Sequence, residues 1–157
     1  MRRILSFGTG PQVIKIRAAN SSDAEQITAV INAAFRIAEG FFIDGNRITL
    51  EELRQHLTTG VFLVAESEET ITGCVYLELR GERAYLGLLS VDPLVQQSGL
   101  GSRLMTAGEE YCRARGARFM DIYIVNLRTE LPAFYRNRGY VETGATPFPA
   151  DVQTKQP

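Results

Sequence analysis

The sequence predicts an α/β fold with a mixed, mostly antiparallel sheet, one central parallel strand–helix–strand crossover and helices on both faces. Two observations carry this prediction. Three apolar, strand-like segments follow one another across short polar turns between residues 61 and 91, as in an antiparallel meander. An amphipathic segment of helical length then separates the third strand from a fourth, and this arrangement favours a parallel pair with a right-handed connection.

The first part of the chain predicts one strand and one helix. Residues 13–17 alternate between apolar and polar side chains, as a strand with one buried face does. Ser22 and Glu25 have the spacing of a capping box, so we expect a helix that begins there and ends near Gly40. Residues 41–46 then form an aromatic loop.

A second helix and the meander follow this loop. Thr49 and Glu52 form another capping box, and Gly60 is a typical residue at the end of the short helix that they begin. The next three strands are predicted over residues 61–66, 71–79 and 83–91. Only short turns separate them, so each should pair with its neighbour in the chain.

The second half of the chain supplies the crossover. A helix is predicted over residues 99–115, with Gly116 as a natural residue just past its end, and a strand over residues 119–125. The connection has the length of a strand–helix–strand unit. We therefore expect the strands at 83–91 and 119–125 to run parallel.

One domain accounts for most of the chain. A last helix over residues 130–138 and a short strand over 140–145 complete a single domain that spans 13–146. Residues 1–12 are expected to be a flexible tail, and residues 147–157 a polar tail with prolines.

Composition excludes several classes of protein. The 17 basic and 18 acidic side chains are mixed along the chain, so no basic stripe of the kind that binds nucleic acid is present. Cys74 and Cys112 lack the spacing of metal ligands and are interpreted as reduced core thiols, with no metal site expected. The sequence has no segment typical of a signal peptide or a membrane span, which predicts a cytoplasmic protein without a membrane partner.

A glycine-bearing turn at residues 96–102 joins the third strand of the meander to the long helix. The first N–H groups of a helix have no partner within the helix and lie at the positive end of its dipole. Gly99 and Gly101 let a ligand approach the backbone without a Cβ in the way. These features predict a site for an anion such as a diphosphate. An ordinary strand-to-helix turn is the alternative.

Three blocks of sequence resemble the GCN5-related N-acetyltransferase (GNAT) family over about residues 13–146. The family signature is Gln or Arg, two variable residues, Gly, one variable residue and Gly or Ala, and the chain has Gln96-Gln97-Ser98-Gly99-Leu100-Gly101. Residues 89–93 and 131–140 resemble the segments that flank this signature. The resemblance implies a GNAT-like fold and transfer of an acetyl group to a primary amine of a small molecule or polypeptide.

The same resemblance implies that the cosubstrate is acetyl-CoA. In the family, the main chain of the strand before the signature holds the pantetheine arm, and backbone N–H groups of the turn hold the pyrophosphate. A residue just past the next strand often contacts the cofactor from the other side. The cofactor-binding residues implied are Leu89, Val91, Gln96, Gln97, Ser98, Gly99, Leu100, Gly101, Ser102 and Asn126.

Tyr135 is the candidate catalytic residue, because it lies where the family commonly has the general acid that protonates the departing thiolate. A phenol with a pKa of about 10 is reasonably matched to that task. The alternative is that Tyr135, next to Phe134, is a core aromatic residue whose hydroxyl is merely hydrogen-bonded.

No residue is an obvious general base. Tyr85 occupies the position at which the histone-modifying members of the family carry a glutamate. Glu78 or Glu82 would serve through a water molecule, although both are interpreted primarily as surface charges, and His56 is interpreted as structural or at the surface. Our default hypothesis is direct attack by an amine that arrives neutral, with water carrying its proton away.

Acceptor recognition is assigned to the loop between the first two helices, because that loop borders the acceptor groove in this fold. The loop residues in question are Phe41, Phe42, Ile43 and Asp44. Two phenylalanines that fill the core beneath the loop are an equally good interpretation.

Two rival functions remain. One is a non-catalytic acyl-CoA-binding or sensing domain. The other is a nucleotide-binding structural module, although this chain has no ribose-reading acid at the expected spacing after the turn.

The chain departs from the family after residue 145, where the fold usually adds a final strand. The remaining tail contains prolines and has no alternating apolar run. Either the last strand is missing and leaves an exposed sheet edge, or the tail pairs poorly and locally. We expect a homodimer that covers the edge, or a compensating rearrangement.

Overall fold

A computed structural model of the protein describes residues 13–39, 46–95, 98–123 and 131–143. In this part of the chain five strands form one sheet in the order β1-β2-β3-β4-β5. The elements are β1 (Lys15–Ala18), α1 (Ala24–Glu39), α2 (Leu50–Thr59), β2 (Val61–Ser67), β3 (Thr70–Arg80), β4 (Arg83–Val91), α3 (Leu100–Ala114), β5 (Phe119–Asp121) and α4 (Leu131–Asn137).

The sheet has the predicted mixed topology. Strands β1 to β4 pair antiparallel in chain order, and β5 pairs parallel to β4 through the pairs Arg83–Phe119, Ala84–Met120 and Tyr85–Asp121. Helix α3 makes the connection between these two parallel strands. The predicted meander, crossover and fold class are therefore confirmed.

Two hydrophobic cores lie on opposite faces of the sheet. Ile27 of α1 and Leu53 of α2 pack with Phe62 and Tyr76 on one face. On the other face, Leu104 of α3 packs with side chains of the same strands that alternate to that side. Both cysteines are buried and free, as predicted: Cys74 belongs to the first core and Cys112 to the second.

The capping box predicted for α1 from Ser22 and Glu25 is wrong. The box is formed by Asn20, whose side chain accepts from Ser22 N at 2.9 Å, and Asp23, whose Oδ2 accepts from Asn20 N at 2.9 Å. A short 3₁₀ turn at residues 21–23 then leads into α1. Arg17 decides the position of the box, because its guanidinium binds the Asp23 carboxylate at 2.8 and 3.0 Å.

The box predicted for α2 is confirmed. Thr49 Oγ1 accepts from Glu52 N at 3.1 Å, and Glu52 Oε1 accepts from Thr49 N at 2.9 Å. Just before this box, the side chain of Asn32 makes a double hydrogen bond with the main chain of Ile48, at 2.9 and 3.0 Å. Asn32 is buried, so this pair fixes the chain entering α2 against α1.

Strand β4 contains a β-bulge that the sequence analysis did not predict. Cys74 pairs with Ser90 and Tyr76 pairs with Gly87, so two residues of β4 lie opposite the single residue between them on β3. One of the two, Leu88, has a positive φ of 53°. The bulge interrupts the alternation of β4, since Leu86 packs with the α3 core whereas Leu88, two residues further along, packs with the α1 and α2 core.

The last two predicted strands differ from the structure. The strand predicted at residues 119–125 is observed only as Phe119–Asp121; residues 124 and 125 lie outside the described residues. Of the strand predicted at 140–145, the described residues 140–143 are not in a strand. Tyr140 is held at the end of α4 instead, because its N–H donates to Tyr135 O at 3.0 Å and its hydroxyl to Glu109 Oε2 at 2.7 Å.

The predicted tails, residues 1–12 and 147–157, lie outside the described residues. Among the residues that the structure describes, no helix is long and apolar enough to cross a membrane.

Candidate active site

The glycine turn leads into α3 through a left-handed residue. Gly99 is the N-cap of α3, with φ 81° and ψ 5°, a conformation that L-residues with a Cβ rarely adopt. A Cβ at Gly99 would meet no described atom within 4 Å, so the backbone conformation, not crowding, favours glycine there. Ser98 Oγ donates to Val95 O at 2.7 Å and ties the glycine turn to the short 3₁₀ turn Pro93–Val95 that follows β4.

The first turn of α3 lacks the capping groups found at α1 and α2. Those helices begin at carboxylate-bearing capping boxes, whereas α3 begins at glycine, with no side-chain cap and no acidic residue in its first turn. The main-chain bond from Arg103 N to Gly99 O, at 3.1 Å, is the first of the helix. The N–H groups of Leu100, Gly101 and Ser102 precede that bond and have no partner among the described residues. Together they can bind an anion.

The predicted cofactor residues of the turn differ in what they present. Ser98 and Ser102 are exposed, and Leu100 is buried in the α3 core, so only the main chain of Leu100 is available to a ligand. Gly101 adjoins the end of β4, because a Cβ on it would lie 3.9 Å from Val91 Cγ2. The other predicted residues of this set, Gln96, Gln97 and Asn126, lie outside the described residues.

The β4 bulge lies on the strand that leads to this turn. Leu88 O accepts a hydrogen bond from Ser90 Oγ at 3.0 Å and a longer one from Cys74 Sγ at 3.7 Å. Two side chains therefore hold the carbonyl of the strained residue, and its neighbour Leu89 is one of the predicted pantetheine contacts. In the described residues the β4–β5 ladder ends at Tyr85, before the bulge is reached.

Tyr85 extends along β4 toward the bulge. A Cβ on Gly87 would lie 2.2 Å from the Tyr85 hydroxyl oxygen, so the phenol covers Gly87, the residue immediately before Leu88. Burial raises the pKa of Tyr85, and the phenol therefore stays neutral at physiological pH. A neutral phenol is a hydrogen-bonding group and a poor base.

Glu78 is engaged by two neighbours. Tyr76 Oη donates to Glu78 Oε2 at 2.8 Å, and Arg80 Nε donates to Glu78 Oε1 at 3.0 Å. These bonds lower the pKa of Glu78, with that from Tyr76 as the main cause, so the carboxylate is a weaker base than an ordinary glutamate. Glu82 is two-thirds exposed and lies 3.6 Å from Arg118, as expected for a surface charge.

His56 has a structural environment, in agreement with its interpretation from the sequence. Its Nδ1 is 2.8 Å from Glu52 O, and its ring makes an edge contact with Tyr76, with ring centroids 4.8 Å apart.

Tyr135 lies on α4 and packs with the α3 core, on the same side of the sheet as Leu89 and Val91. Its half-buried ring makes edge contacts with Phe134 at 5.1 Å and Tyr140 at 5.9 Å between ring centroids. These contacts are compatible with a general acid and with a core aromatic residue, so its catalytic role stays a prediction.

The predicted acceptor loop, Phe41, Phe42, Ile43 and Asp44, lies outside the described residues. In the part of the chain that the structure describes, no group of three or more histidine, cysteine, aspartate or glutamate side chains is placed to hold a metal ion.

Solved structures share this architecture. The PaiA N-acetyltransferase of Thermoplasma acidophilum in complex with coenzyme A aligns with a TM-score of 0.74 at 17% identity, over 90% of this chain and 96% of that chain. The aminoglycoside N-acetyltransferase AAC(6')-Iy in complex with CoA aligns with a TM-score of 0.72 at 16% identity, over 91% and 97% of the two chains. At such low identity these likenesses establish the fold.

Sequence comparison identifies the family. The model of the acetyltransferase (GNAT) family matches residues 28–140. The chain belongs to this family. A mycothiol acetyltransferase of Clavibacter michiganensis subsp. michiganensis is 30% identical over 80 residues, which are 51% of this chain and 26% of that protein. The match thus spans about a quarter of the relative's length.

Proposed function

We propose that the protein is an N-acetyltransferase that moves the acetyl group of acetyl-CoA to a primary amine. One observation carries this proposal: the uncapped, glycine-led start of α3 adjoins the end of the bulged strand β4. The N–H groups from residues 97–102 would hold the pyrophosphate, and the main chain of Leu89 and Val91 the pantetheine arm. Gln96 and Asn126 complete the proposed cofactor site.

Bound acetyl-CoA supplies the thioester that the amine attacks. The amine nitrogen forms a bond to the carbonyl carbon, the carbon–sulfur bond breaks, and the thiolate takes a proton for which Tyr135 is the proposed donor. The amine proton leaves through water. Both oxygens of Glu78 already accept hydrogen bonds, and the phenol of Tyr85 is neutral. These two observations support a reaction without a dedicated base.

The proposal is tested by thiol release from acetyl-CoA with a panel of small amines and amine-bearing peptides. Acetylated amine must appear in step with free thiol. The mycothiol and aminoglycoside acetyltransferases among the similar proteins make small-molecule amines the first arm of the panel. Acetyl-CoA binding with no turnover for any amine would favour an acyl-CoA-sensing domain instead, a rival motivated by tyrosine at position 85.

The role of Tyr135 is tested with Tyr135→Phe, which keeps the ring and its edge contacts but removes the acidic proton. A positioned acid typically contributes roughly 10²–10⁴ in rate, so kcat should fall by about that factor while acetyl-CoA binding is retained. Tyr111→Phe on α3 is the matched control and should leave kcat unchanged. An unchanged kcat in Tyr135→Phe would assign Tyr135 to the core.

A further inference from the structure

A cluster of aromatic and charged side chains lies on the α1 and α2 side of the sheet, around Tyr85. The guanidinium of Arg80 lies over the Tyr85 ring, 5.1 Å from its centroid, and the ring of Tyr123 lies 5.8 Å away. Tyr123 is 63% exposed, so part of this surface is open. We name Arg80, Tyr85 and Tyr123 the Tyr85 platform.

Arg80 is held in place but keeps hydrogen-bonding capacity. Its Nε donates to Glu78, and its guanidinium rests on the Tyr85 ring, so two contacts fix its orientation. Its two terminal amino groups have no hydrogen-bond partner among the described residues, and the side chain is about half exposed (49%). Both oxygens of Glu78, in contrast, already accept hydrogen bonds.

The charge that is left over on this surface is positive. Arg83 and Asp121 neutralise one another through two bonds, at 2.9 and 2.6 Å. Arg47 also lies close enough to act on Tyr85 electrostatically, and it forms no ion pair with any described residue. Among the described residues, the ion pair of Arg80 with Glu78 leaves the charge of Arg47 unbalanced near Tyr85, which favours an anion over a second cation.

The platform begins next to the expected reaction centre. The Tyr85 hydroxyl covers Gly87, beside the bulge whose Leu89 main chain is proposed to hold the pantetheine end. An acceptor whose nitrogen meets the thioester at the bulge would extend along the Tyr85 ring, and its far end would reach the amino groups of Arg80.

We propose that the Tyr85 platform binds a carboxylate of the acceptor, so that the substrate is a small amine carrying a carboxylate, as an amino acid does. This inference rests on the proposed N-acetyltransferase function. Two adjacent N–H groups of an oriented guanidinium match the two oxygens of a carboxylate, and Tyr85 and Tyr123 provide an apolar wall for the carbon chain between the two ends.

The test compares linear amino acids of increasing chain length with the corresponding amino amides, which keep the amine and lose the negative charge. The acid should be preferred in kcat/KM by roughly 10- to 100-fold, as expected for hydrogen bonds to a charged group. Arg80→Gln should abolish this preference, and Arg80→Lys should restore part of it. Acetyl-CoA binding should be unchanged in both variants.

Arg83→Gln is the matched control, because Arg83 also lies over an aromatic ring, that of Phe119, but is already paired with Asp121. It should keep the preference for acids. Equal use of acids and amides by the unmodified protein, or an unchanged preference in Arg80→Gln, would overturn the carboxylate subsite while leaving acetyl transfer intact.

A binding experiment keeps the inference testable without turnover. Titration of N-acetylated amino acids and of their amides into the complex with CoA should give tighter binding of the acids, and Arg80→Gln should remove the difference. If none of the amines in the panel caused thiol release from acetyl-CoA, that result would count against the proposed function. Equal binding of acids and amides would count against the subsite alone.

Discussion

Leu88 shows how a single residue places the proposed reaction centre. A non-glycine residue at positive φ costs roughly 1–2 kcal/mol, so the surrounding structure must favour this conformation. The hydroxyl of Ser90 and the thiol of Cys74, both buried, bond the Leu88 carbonyl that the bulge displaces. The serine is the stronger donor, because its oxygen lies closer and a thiol donates weakly.

We predict that Ser90→Ala lowers the free energy of unfolding by about 0.5–1.5 kcal/mol, because one buried hydrogen bond is lost. The same substitution should also lower kcat by a larger factor than it raises the KM for acetyl-CoA. The reason is that the Leu88 carbonyl, which loses its bond to Ser90, is next to Leu89. Urea unfolding and steady-state kinetics measure the two effects.

Thr58→Ala serves as the control, because that hydroxyl also donates to a main-chain carbonyl, Gln55 O at 2.7 Å, but lies exposed on α2. It should leave kcat unchanged. Ser90→Thr keeps the donor and should restore most of the activity. Equal kcat in Ser90→Ala and the unmodified protein would separate the bulge from catalysis.

At the scale of elements, residues that begin or end helices made most bounds predictable. Strand β4 has the predicted bounds, and α3 differs from its prediction by one residue at each end. The spacing does not identify the start of α1, because Asn20–Asp23 and Ser22–Glu25 have the same spacing and a tertiary contact of Asp23 with Arg17 selects between them. The spacing of residues in the sequence does not reveal this contact.

The two ends of α3 offer a direct test of the anion site. Gly99 and Gly116 have φ values of 81° and 99°, and a Cβ on either would meet no described atom within 4 Å. Gly99→Ala and Gly116→Ala should therefore destabilise the protein similarly, by roughly 1–2 kcal/mol.

Only Gly99→Ala should weaken acetyl-CoA binding, by about 10-fold or more, because the added methyl group obstructs the approach of the pyrophosphate to the N–H groups of α3. Calorimetric titration measures this. Equal weakening in both variants would indicate a general effect on the helix and would count against the turn as the pyrophosphate site.

At the scale of the whole molecule, the topology and the glycine turn before α3 were predictable from the sequence, whereas the Tyr85 platform was not. The turn lies within one continuous segment, whereas Arg80 and Tyr85 lie on neighbouring strands of a hairpin and Tyr123 comes from the chain that follows β5. The bulge depends on the register between β3 and β4, which is likewise not a local property of either strand. The one local sign of the platform in the sequence is Gly87, which leaves room for the nearby Tyr85 ring.

The homodimer stays a prediction at this scale. Among the described residues β5 is the last strand of the sheet and pairs only with β4. Sedimentation velocity at micromolar concentration should give about twice the 17.4 kDa mass of one chain. A sedimenting species of one chain would show that the sheet edge is covered without a second copy.

The close approach of Tyr85 to Gly87 couples these two positions in any redesign or natural variation of the protein. A side chain at position 87 would displace the phenol on which Arg80 rests, whereas replacement of Tyr85 by a smaller residue would remove the requirement for glycine. Substitutions at 85 and 87 should therefore be strongly non-additive. Under the proposed carboxylate subsite, the preference for acids over amides should then depend on the two positions jointly.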